Sequence, residues 1–185
     1  MTATPLPDPA SPPVRSRTAD RARADRQRGP SPRYLREVQR PEIREDIRTL
    51  AFFVRVNCDG NHRTLPRRPH ESHAVTAGVY DDPGLRGVQA HGVPTLCQEC
   101  SDHLAYGEAR RVFCPLDPKP FCAECEIHCF IAAERAWNKQ MMRYSGPRSL
   151  FHGYALEGAK HFALSVRRYS GTYVRRILQR ENASA

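Results

Sequence analysis

Apolar side chains recur at helical spacing in the segment that begins at Pro41. Steps of four, three, four and four residues separate Ile43, Ile47, Leu50, Val54 and Cys58. This periodicity is typical of one face of an amphipathic helix, and Pro41 suits its first position. The pattern predicts a helix from Pro41 that ends near Asp59-Gly60, with Cys58 facing inward and His62 four residues further on.

Two more helices are predicted in the middle of the chain, over Cys97–Phe113 and Ala132–Tyr144. The predicted inner face of the first comprises Cys100, Leu104, Ala105, Ala109 and Val112. In the second, Trp137 and Met141 share a face and are expected in the core. The sequence Ser145-Gly146-Pro147 is predicted to end it.

The last predicted helix covers Gly153 to Arg180 and is basic and amphipathic. Its apolar stripe comprises Ala155, Ala159, Phe162, Val166, Tyr169, Tyr173 and Ile177. Such a helix can cover a core, bind a membrane surface or bind nucleic acid. We expect it to cover the core.

Two stretches lack any periodicity. Residues 1–40 are rich in Pro, Ser, Ala and Arg and are predicted to be a disordered basic arm. Residues 63–94 are predicted to be a long loop, whose His70, His73 and His91 have irregular spacing and are not favoured as ligands. The expected fold class is therefore mainly α: a helical domain over 41–152 around an irregular cysteine-rich loop, followed by a basic helix and tail over 153–185.

Cysteines are the main candidate chemistry. The chain has seven, and six of them lie between Leu96 and Arg148: Cys97, Cys100, Cys114, Cys122, Cys125 and Cys129. Two Cys-x2-Cys pairs, the second followed by x3-Cys, are typical of thiolates that converge on a metal. The seventh, Cys58, is either a buried apolar thiol or a ligand together with His62.

The spacing leaves the identity of the metal open. The four thiols of Cys97, Cys100, Cys122 and Cys125 would satisfy one structural zinc ion. An iron–sulfur cluster could instead use Cys122, Cys125 and Cys129 with a more distant fourth thiolate. Because no single four-ligand site uses seven thiols, the sequence favours a cluster, or a cluster plus one zinc ion bound partly through Cys58 or His62.

Charge is concentrated at the two ends of the chain. The net charge is +9, of which residues 1–40 and 160–185 carry +5 each, whereas residues 41–159 carry −1. This distribution predicts weak, non-specific nucleic-acid contact through the ends. In the middle, Arg143 and Arg148 could bind an anion or a carboxylate of a protein partner, although solvated arginines are the commoner case.

Other features narrow the function class. No apolar run is long enough to span a membrane, and no secretory signal is evident. An odd number of cysteines, arranged in Cys-x2-Cys pairs and without an export signal, favours a cytoplasmic metal site over a set of disulfides. A phosphate-binding glycine loop, a nucleophile elbow and a His-Glu-x-x-His motif are all lacking, so an enzyme is the least favoured class.

Five blocks of sequence, in order, resemble the bacterial nitrous oxide-stimulated promoter family. They are RTLAFFVRVNCDGNH, LCQEC, the Cys114-Pro115 pair, KPFCAECEIHCF and MMRYSGPRSL, within residues 44–152. The resemblance implies an inducible role in nitrosative stress and no established reaction. Iron–sulfur clusters react directly with nitric oxide, so we expect a cluster-containing accessory or sensor; the alternative is a zinc-stabilised, transcription-associated binding module.

The sequence departs from the family pattern at three places. The loop over 63–94 is longer than the usual link, Leu116-Asp117 replaces a Phe-Gly-Glu-like turn, and both basic ends lie outside the resemblance. None of these departures removes a cysteine. The expectation of a metal site is therefore unchanged.

Overall fold

The chain is mainly α-helical, as predicted. The computed structural model describes residues 28–81, 92–116, 122, 125, 127 and 129–151. These ranges contain five α-helices, one pair of short strands and a final 3-10 turn. The predictions for residues 1–27, for His91 and for the basic helix over 153–180 lie outside the described residues.

The first helix, α1 (Pro32–Glu37), lies within the stretch predicted to be disordered. The hydroxyl of Ser31 caps it by accepting a hydrogen bond from the Tyr34 amide at 3.1 Å. Tyr34 and Val38 are buried, and the Tyr34 ring contacts the ring of Phe113 edge-on. The prediction that disorder extends to Arg40 is therefore wrong for residues 32–38. Residues distant in the sequence bury Tyr34 and Val38, and the polar composition of this stretch does not reveal those contacts.

The longest helix, α2 (Pro41–Asn61), begins at the predicted proline. Glu42 in its first turn interacts favourably with the helix dipole. The predicted inner face is buried throughout: Ile43, Ile47, Leu50, Val54 and Cys58. The helix passes through Gly60 and ends one residue later, so the predicted stop at Asp59-Gly60 is corrected by about one residue.

Strands β1 (Arg67–Pro69) and β2 (Thr95–Cys97) pair antiparallel, with Arg67 opposite Cys97. The short helix α3 (His73–Thr76) lies between them. The segment 63–94, predicted as a loop, thus contains β1 and α3. Three-residue strands are too short to produce a period-two pattern, yet this pair brings Cys97 back to the end of α2.

Helices α4 (Gln98–Val112) and α5 (Ala132–Arg148) both pack against α2 and complete the core. Met141 is buried and Trp137 packs at the edge of the core, close to the prediction. The His103 ring stacks on Trp137 at 4.0 Å and joins Glu134 by a 2.6 Å hydrogen bond, which fixes α4 against α5.

Helix α5 does not end at Ser145-Gly146-Pro147 as predicted but continues through Pro147 to Arg148. A proline so close to a helix end removes only one intrahelical hydrogen bond. The Ser149 amide bonds to carbonyls of the last turn, and its hydroxyl donates to the Gly146 carbonyl at 2.6 Å. A 3-10 turn (Ser149–Phe151) follows.

Candidate metal centre

The C-terminal end of α2 supplies two candidate ligands, Cys58 and His62. Residues four apart on a helix lie on the same face, one turn apart. His62 is the C-cap residue, and its amide donates to the Cys58 carbonyl at 3.0 Å. This last turn therefore directs the thiol and the imidazole into the same space.

The junction of β2 and α4 supplies the other two, Cys97 and Cys100. Cys97 is the last residue of β2 and the N-cap of α4, and Cys100 lies in the first turn of that helix. Both thiols are buried. The two thiols thus lie at the N-terminal end of α4.

The four side chains converge. The ligand atoms of Cys58, His62, Cys97 and Cys100 all lie within 4.8 Å of one another. The Nδ1 atom of His62 is 3.2 Å from the Sγ atoms of both Cys97 and Cys100. These residues could hold a metal ion, and we call them the Cys3His centre.

The distances suit a single ion with tetrahedral coordination. Zinc–sulfur bonds of about 2.3 Å and zinc–nitrogen bonds of about 2.0 Å place tetrahedral ligand atoms roughly 3.6–3.8 Å apart. The His62 nitrogen lies 3.2 Å from two of the sulfurs and all four ligand atoms lie within 4.8 Å of one another, so small shifts would bring them to this spacing. Three thiolates and one imidazole are a common donor set for structural zinc.

Several contacts orient the ligands. The Cys97 amide donates to the Cys58 sulfur at 3.3 Å. The side-chain NH2 group of Asn57 lies 4.0 Å from the Cys100 sulfur. The side-chain oxygen of Asn57 accepts a hydrogen bond from the Asn61 side chain at 2.9 Å. Such outer contacts fix ligand geometry and tune affinity.

Arg67 connects the strands to the end of α2. Its guanidinium donates to the Cys58 carbonyl at 3.0 Å and forms an ion pair with Asp59. The hydrogen bond to Asp59, and the nearby thiols of Cys58 and Cys97, raise the pKa of Arg67. A fixed positive charge therefore stands beside the thiolates.

Burial also shapes the thiols themselves. It raises the pKa of Cys58 and of Cys100, and at Cys100 the neighbouring thiols Cys58 and Cys97 raise it further. Three sulfurs this close repel one another once ionised. A bound cation removes that repulsion, so the charge of the site is suited to a metal.

The remaining four cysteines lie apart from this centre. Cys114 follows the end of α4 and is half-buried, as are Cys125 and Cys129, whereas Cys122 is exposed. Among the described residues, the Cys3His centre is the one group of three or more potential ligands with such short mutual distances. The structure thus joins the Cys97–Cys100 pair to Cys58 and His62 and leaves the Cys122–Cys125 pair outside.

The other candidate residues from the sequence lie elsewhere. Arg143 and Arg148 are exposed on α5, and the Arg148 guanidinium stacks 3.8 Å above the Tyr144 ring. His70 is buried and hydrogen-bonded to Glu108 and Ser101, and it is not among the four converging ligands. His73 contacts the Tyr34 ring.

The structure adds two residues that the sequence did not single out, Arg67 and Asn57. Asn57 precedes Cys58 on a buried part of α2. Because buried side-chain amides are nearly always hydrogen-bonded, an asparagine at this position indicates a polar partner nearby. Arg67 carries no such signal, because its position depends on the pairing of β1 with β2.

The comparison with protein families gives a match over residues 41–171 to the model described as nitrous oxide-stimulated promoter. This range includes all seven cysteines and His62. The chain belongs to the nitrous oxide-stimulated promoter family. This confirms the resemblance found in the sequence blocks.

One relative of this family member is an uncharacterized protein, YgbA, of Escherichia coli (strain K12). It is 46% identical over 35 residues, which are 19% of this chain and 30% of the relative. The aligned stretch thus spans less than a third of that protein's length. No solved structure matches the chain.

Among the described residues, no helix is both long enough and apolar enough to cross a bilayer.

Proposed function

We propose that this protein is a metal-binding accessory or sensor of the nitrosative-stress response, and that its Cys3His centre binds one zinc ion. The family description supports the physiological setting. The observation that carries the metal assignment is the convergence of three thiols and one imidazole within 4.8 Å. Soft sulfur donors with one imidazole suit zinc.

The short distances favour one ion over an iron–sulfur cluster at this centre. Thiolates of a cluster bind different iron atoms and therefore stand farther apart than the ligands of a single ion. The His62 nitrogen, 3.2 Å from two of the sulfurs, leaves no space for a polynuclear core. The cluster that the cysteine spacing favoured would have to use other thiols.

The proposed zinc would be structural. Four protein ligands complete its tetrahedral shell and leave no open position for a catalytic water. The ion would join the end of α2, strand β2 and the start of α4. A protein-stabilising metal supports a role in binding or signalling better than a role in catalysis.

Partners and location follow from charge and thiol state. The seven cysteines, all among the described residues, are free thiols, which supports a reducing compartment such as the cytoplasm. The +5 charge at each end of the chain supports weak, salt-dependent contact with nucleic acid. Exposed Arg143 and Arg148 are available to an acidic protein partner.

The metal assignment is tested by the zinc content of purified protein. We expect one zinc per chain in the wild type and loss of zinc in Cys100→Ser. His62→Cys should retain zinc, because its new thiolate takes the place of the imidazole as the fourth ligand. Gln98→Ala is the matched control, since Gln98 is exposed between two ligands and offers none itself. Full zinc content in Cys100→Ser would contradict the assignment.

The physiological role is tested in a strain that lacks the gene and is exposed to a nitric oxide donor. We expect growth to be restored by the wild type and by Gln98→Ala, but not by Cys100→Ser. Equal growth of the deletion strain and the parent under the donor would refute the stress role while leaving the zinc result intact.

A further inference from the structure

Two of the four ligands of the Cys3His centre form a Cys-x2-Cys pair at the start of one helix. Cys97 is the N-cap of α4, and Cys100 lies in the first turn of that helix. Their sulfur atoms lie within 4.8 Å of each other. Cysteines with this spacing at a helix N-terminus occur in proteins that open and close a disulfide. The pair is therefore arranged for a second reaction besides metal binding.

Cys58, the third thiol of the centre, is less suited to a disulfide. It stands on α2, where the His62 amide and the Arg67 guanidinium both donate to its carbonyl at 3.0 Å. A disulfide bond is only about 2.0 Å long. Joining Cys58 to either other thiol would therefore draw two packed segments together, whereas Cys97 and Cys100 can meet by movement within one turn. The geometry thus favours the Cys97–Cys100 pair.

The surroundings of the pair combine exposed neighbours with a positive charge. Gln98 and Glu99, which lie between the two cysteines, are exposed, and His62 is half-buried. Local opening of this one turn is enough to let a small, uncharged oxidant reach the buried sulfurs. Arg67 lies opposite Cys97 across the strand pair, and a guanidinium near a thiolate favours its reactive, ionised form.

We propose that Cys97 and Cys100 form a peroxide-sensitive switch, in which their oxidation to a disulfide releases the metal of the Cys3His centre. One thiolate attacks hydrogen peroxide, the O–O bond breaks, and the products are a sulfenic acid and hydroxide. The second thiolate then attacks that sulfur, the S–S bond forms, and a second hydroxide leaves. The two sulfurs lose two electrons in total, and the peroxide gains both.

The disulfide removes two of the four metal ligands. Cys58 and His62 alone do not complete the shell of a structural zinc ion. The ion therefore leaves, and the end of α2 is no longer joined through it to the start of α4. A dithiol reductant restores both thiols and with them the site. This inference rests on the proposed function for the metal, whereas the disulfide chemistry is independent of the nitrosative setting.

The test treats zinc-loaded, full-length protein with hydrogen peroxide and follows the released zinc with a chromophoric chelator. After the free thiols are alkylated, trypsin leaves Cys97 and Cys100 together in peptide 87–110 and places Cys58 in peptide 56–63. We expect release of one zinc per chain and an internal disulfide in peptide 87–110 by mass spectrometry. Dithiothreitol followed by zinc should reverse both changes.

Two variants separate the pair from its surroundings. Cys100→His keeps four metal ligands as a Cys2His2 set but has no second thiol in this turn. It should hold its zinc at the peroxide dose that empties the wild type. Gln98→Ala is the matched control, since Gln98 is exposed in the same turn and offers no ligand; it should release zinc as the wild type does.

Two results would overturn the switch. The first is zinc release from Cys100→His at the wild-type rate, or a cross-link between peptides 56–63 and 87–110 in place of the internal disulfide. The second is zinc-loaded wild type that keeps its zinc and its free thiols under peroxide, which leaves the proposed zinc centre standing.

A failure of the zinc assignment gives a different result. A wild type purified without zinc would contradict the proposed metal, and peptide 87–110 would still decide the redox chemistry. Its internal disulfide after peroxide treatment would support the dithiol pair, and its absence would refute it. The same peptide of the wild type decides if Cys100→His does not bind zinc.

Discussion

Arg67 is the residue that connects the segments bearing the metal ligands. It lies opposite Cys97 across the strand pair, and its guanidinium bonds to Cys58 and Asp59 at the end of α2. The polar contacts of one side chain thus hold two ligand-bearing segments in register. Arg68, the next residue on the same strand, is exposed.

Replacing Arg67 should therefore weaken the metal site without removing a ligand. We expect Arg67→Met to lower zinc affinity about 10- to 100-fold, the usual effect of losing an outer-shell partner. The measurement is competition with a chromophoric chelator of known affinity. Arg68→Met serves as the control, and equal affinities of the two variants would show that Arg67 does not orient the site.

At the scale of elements, the end of α2 was predicted to within one residue, whereas α5 continues past its predicted end. Glycine and proline weaken a helix locally, but tertiary contacts decide whether it continues. Gly60 lies inside α2 where the Tyr144 ring of α5 presses against the backbone, and a Cβ atom there would overlap that ring. The glycine thus permits close helix packing and does not end the helix.

This contact predicts opposite effects for two glycine substitutions. Gly60→Ala should destabilise the protein by about 1–3 kcal/mol, because the added methyl group overpacks the interface. At Gly146 on α5 a Cβ atom meets nothing within 4 Å, so Gly146→Ala should be neutral or stabilise by up to about 1 kcal/mol. Chemical denaturation measures both, and equal stability of the two variants would argue against the close approach.

A buried polar network joins the strand segment to α4. The Glu108 carboxylate accepts a hydrogen bond from the Tyr80 hydroxyl and lies 3.2 Å from His70. Burial, followed by the charge of Glu108 and this hydrogen bond, raises the pKa of Tyr80. Burial and Glu108 also raise the pKa of Tyr34.

These shifts predict a loss of stability in base. Above about pH 10 the tyrosines ionise in the unfolded chain but keep their protons in the folded one. The unfolded state then binds fewer protons, so the free energy of unfolding falls by about 1.4 kcal/mol per pH unit for each tyrosine. Below pH 9 neither residue contributes any pH dependence.

Tyr34→Phe removes one of the two groups and should reduce that slope by about 1.4 kcal/mol per pH unit. The measurement is urea denaturation of metal-loaded wild type and variant between pH 9 and 11. The same slope in both proteins would mean that Tyr34 ionises equally in the two states.

At the scale of the whole molecule, the sequence predicted what depends on local pattern. The α2 stripe is a property of neighbouring residues, so its start at Pro41 and its buried face were predicted correctly. The grouping of the cysteines was not determined. Cys58 and Cys97 are 39 residues apart and meet through the pairing of β1 with β2 and the packing of α2 against α4. Neither contact is evident from the sequence, since three-residue strands leave no period-two pattern.

The Cys3His centre lies where α2, β2 and α4 meet, so removal of its metal should affect the whole fold. A metal present at about 1000 times its dissociation constant stabilises by about 4 kcal/mol, or roughly 10 °C in midpoint for a chain of this size. We expect a strong zinc chelator to lower the thermal midpoint of the wild type by about that much. Cys100→Ser should not respond to the chelator, and an unchanged wild-type midpoint despite removal of the metal would contradict a stabilising role.

X-ray absorption at the zinc edge tests the central claim most directly, because it reports the atoms bound to the ion. The Cys3His assignment predicts three sulfur neighbours at about 2.3 Å and one nitrogen neighbour at about 2.0 Å. In His62→Cys the nitrogen should be replaced by a fourth sulfur. A wild-type spectrum with four sulfur neighbours, or with mainly oxygen and nitrogen neighbours, would contradict the account.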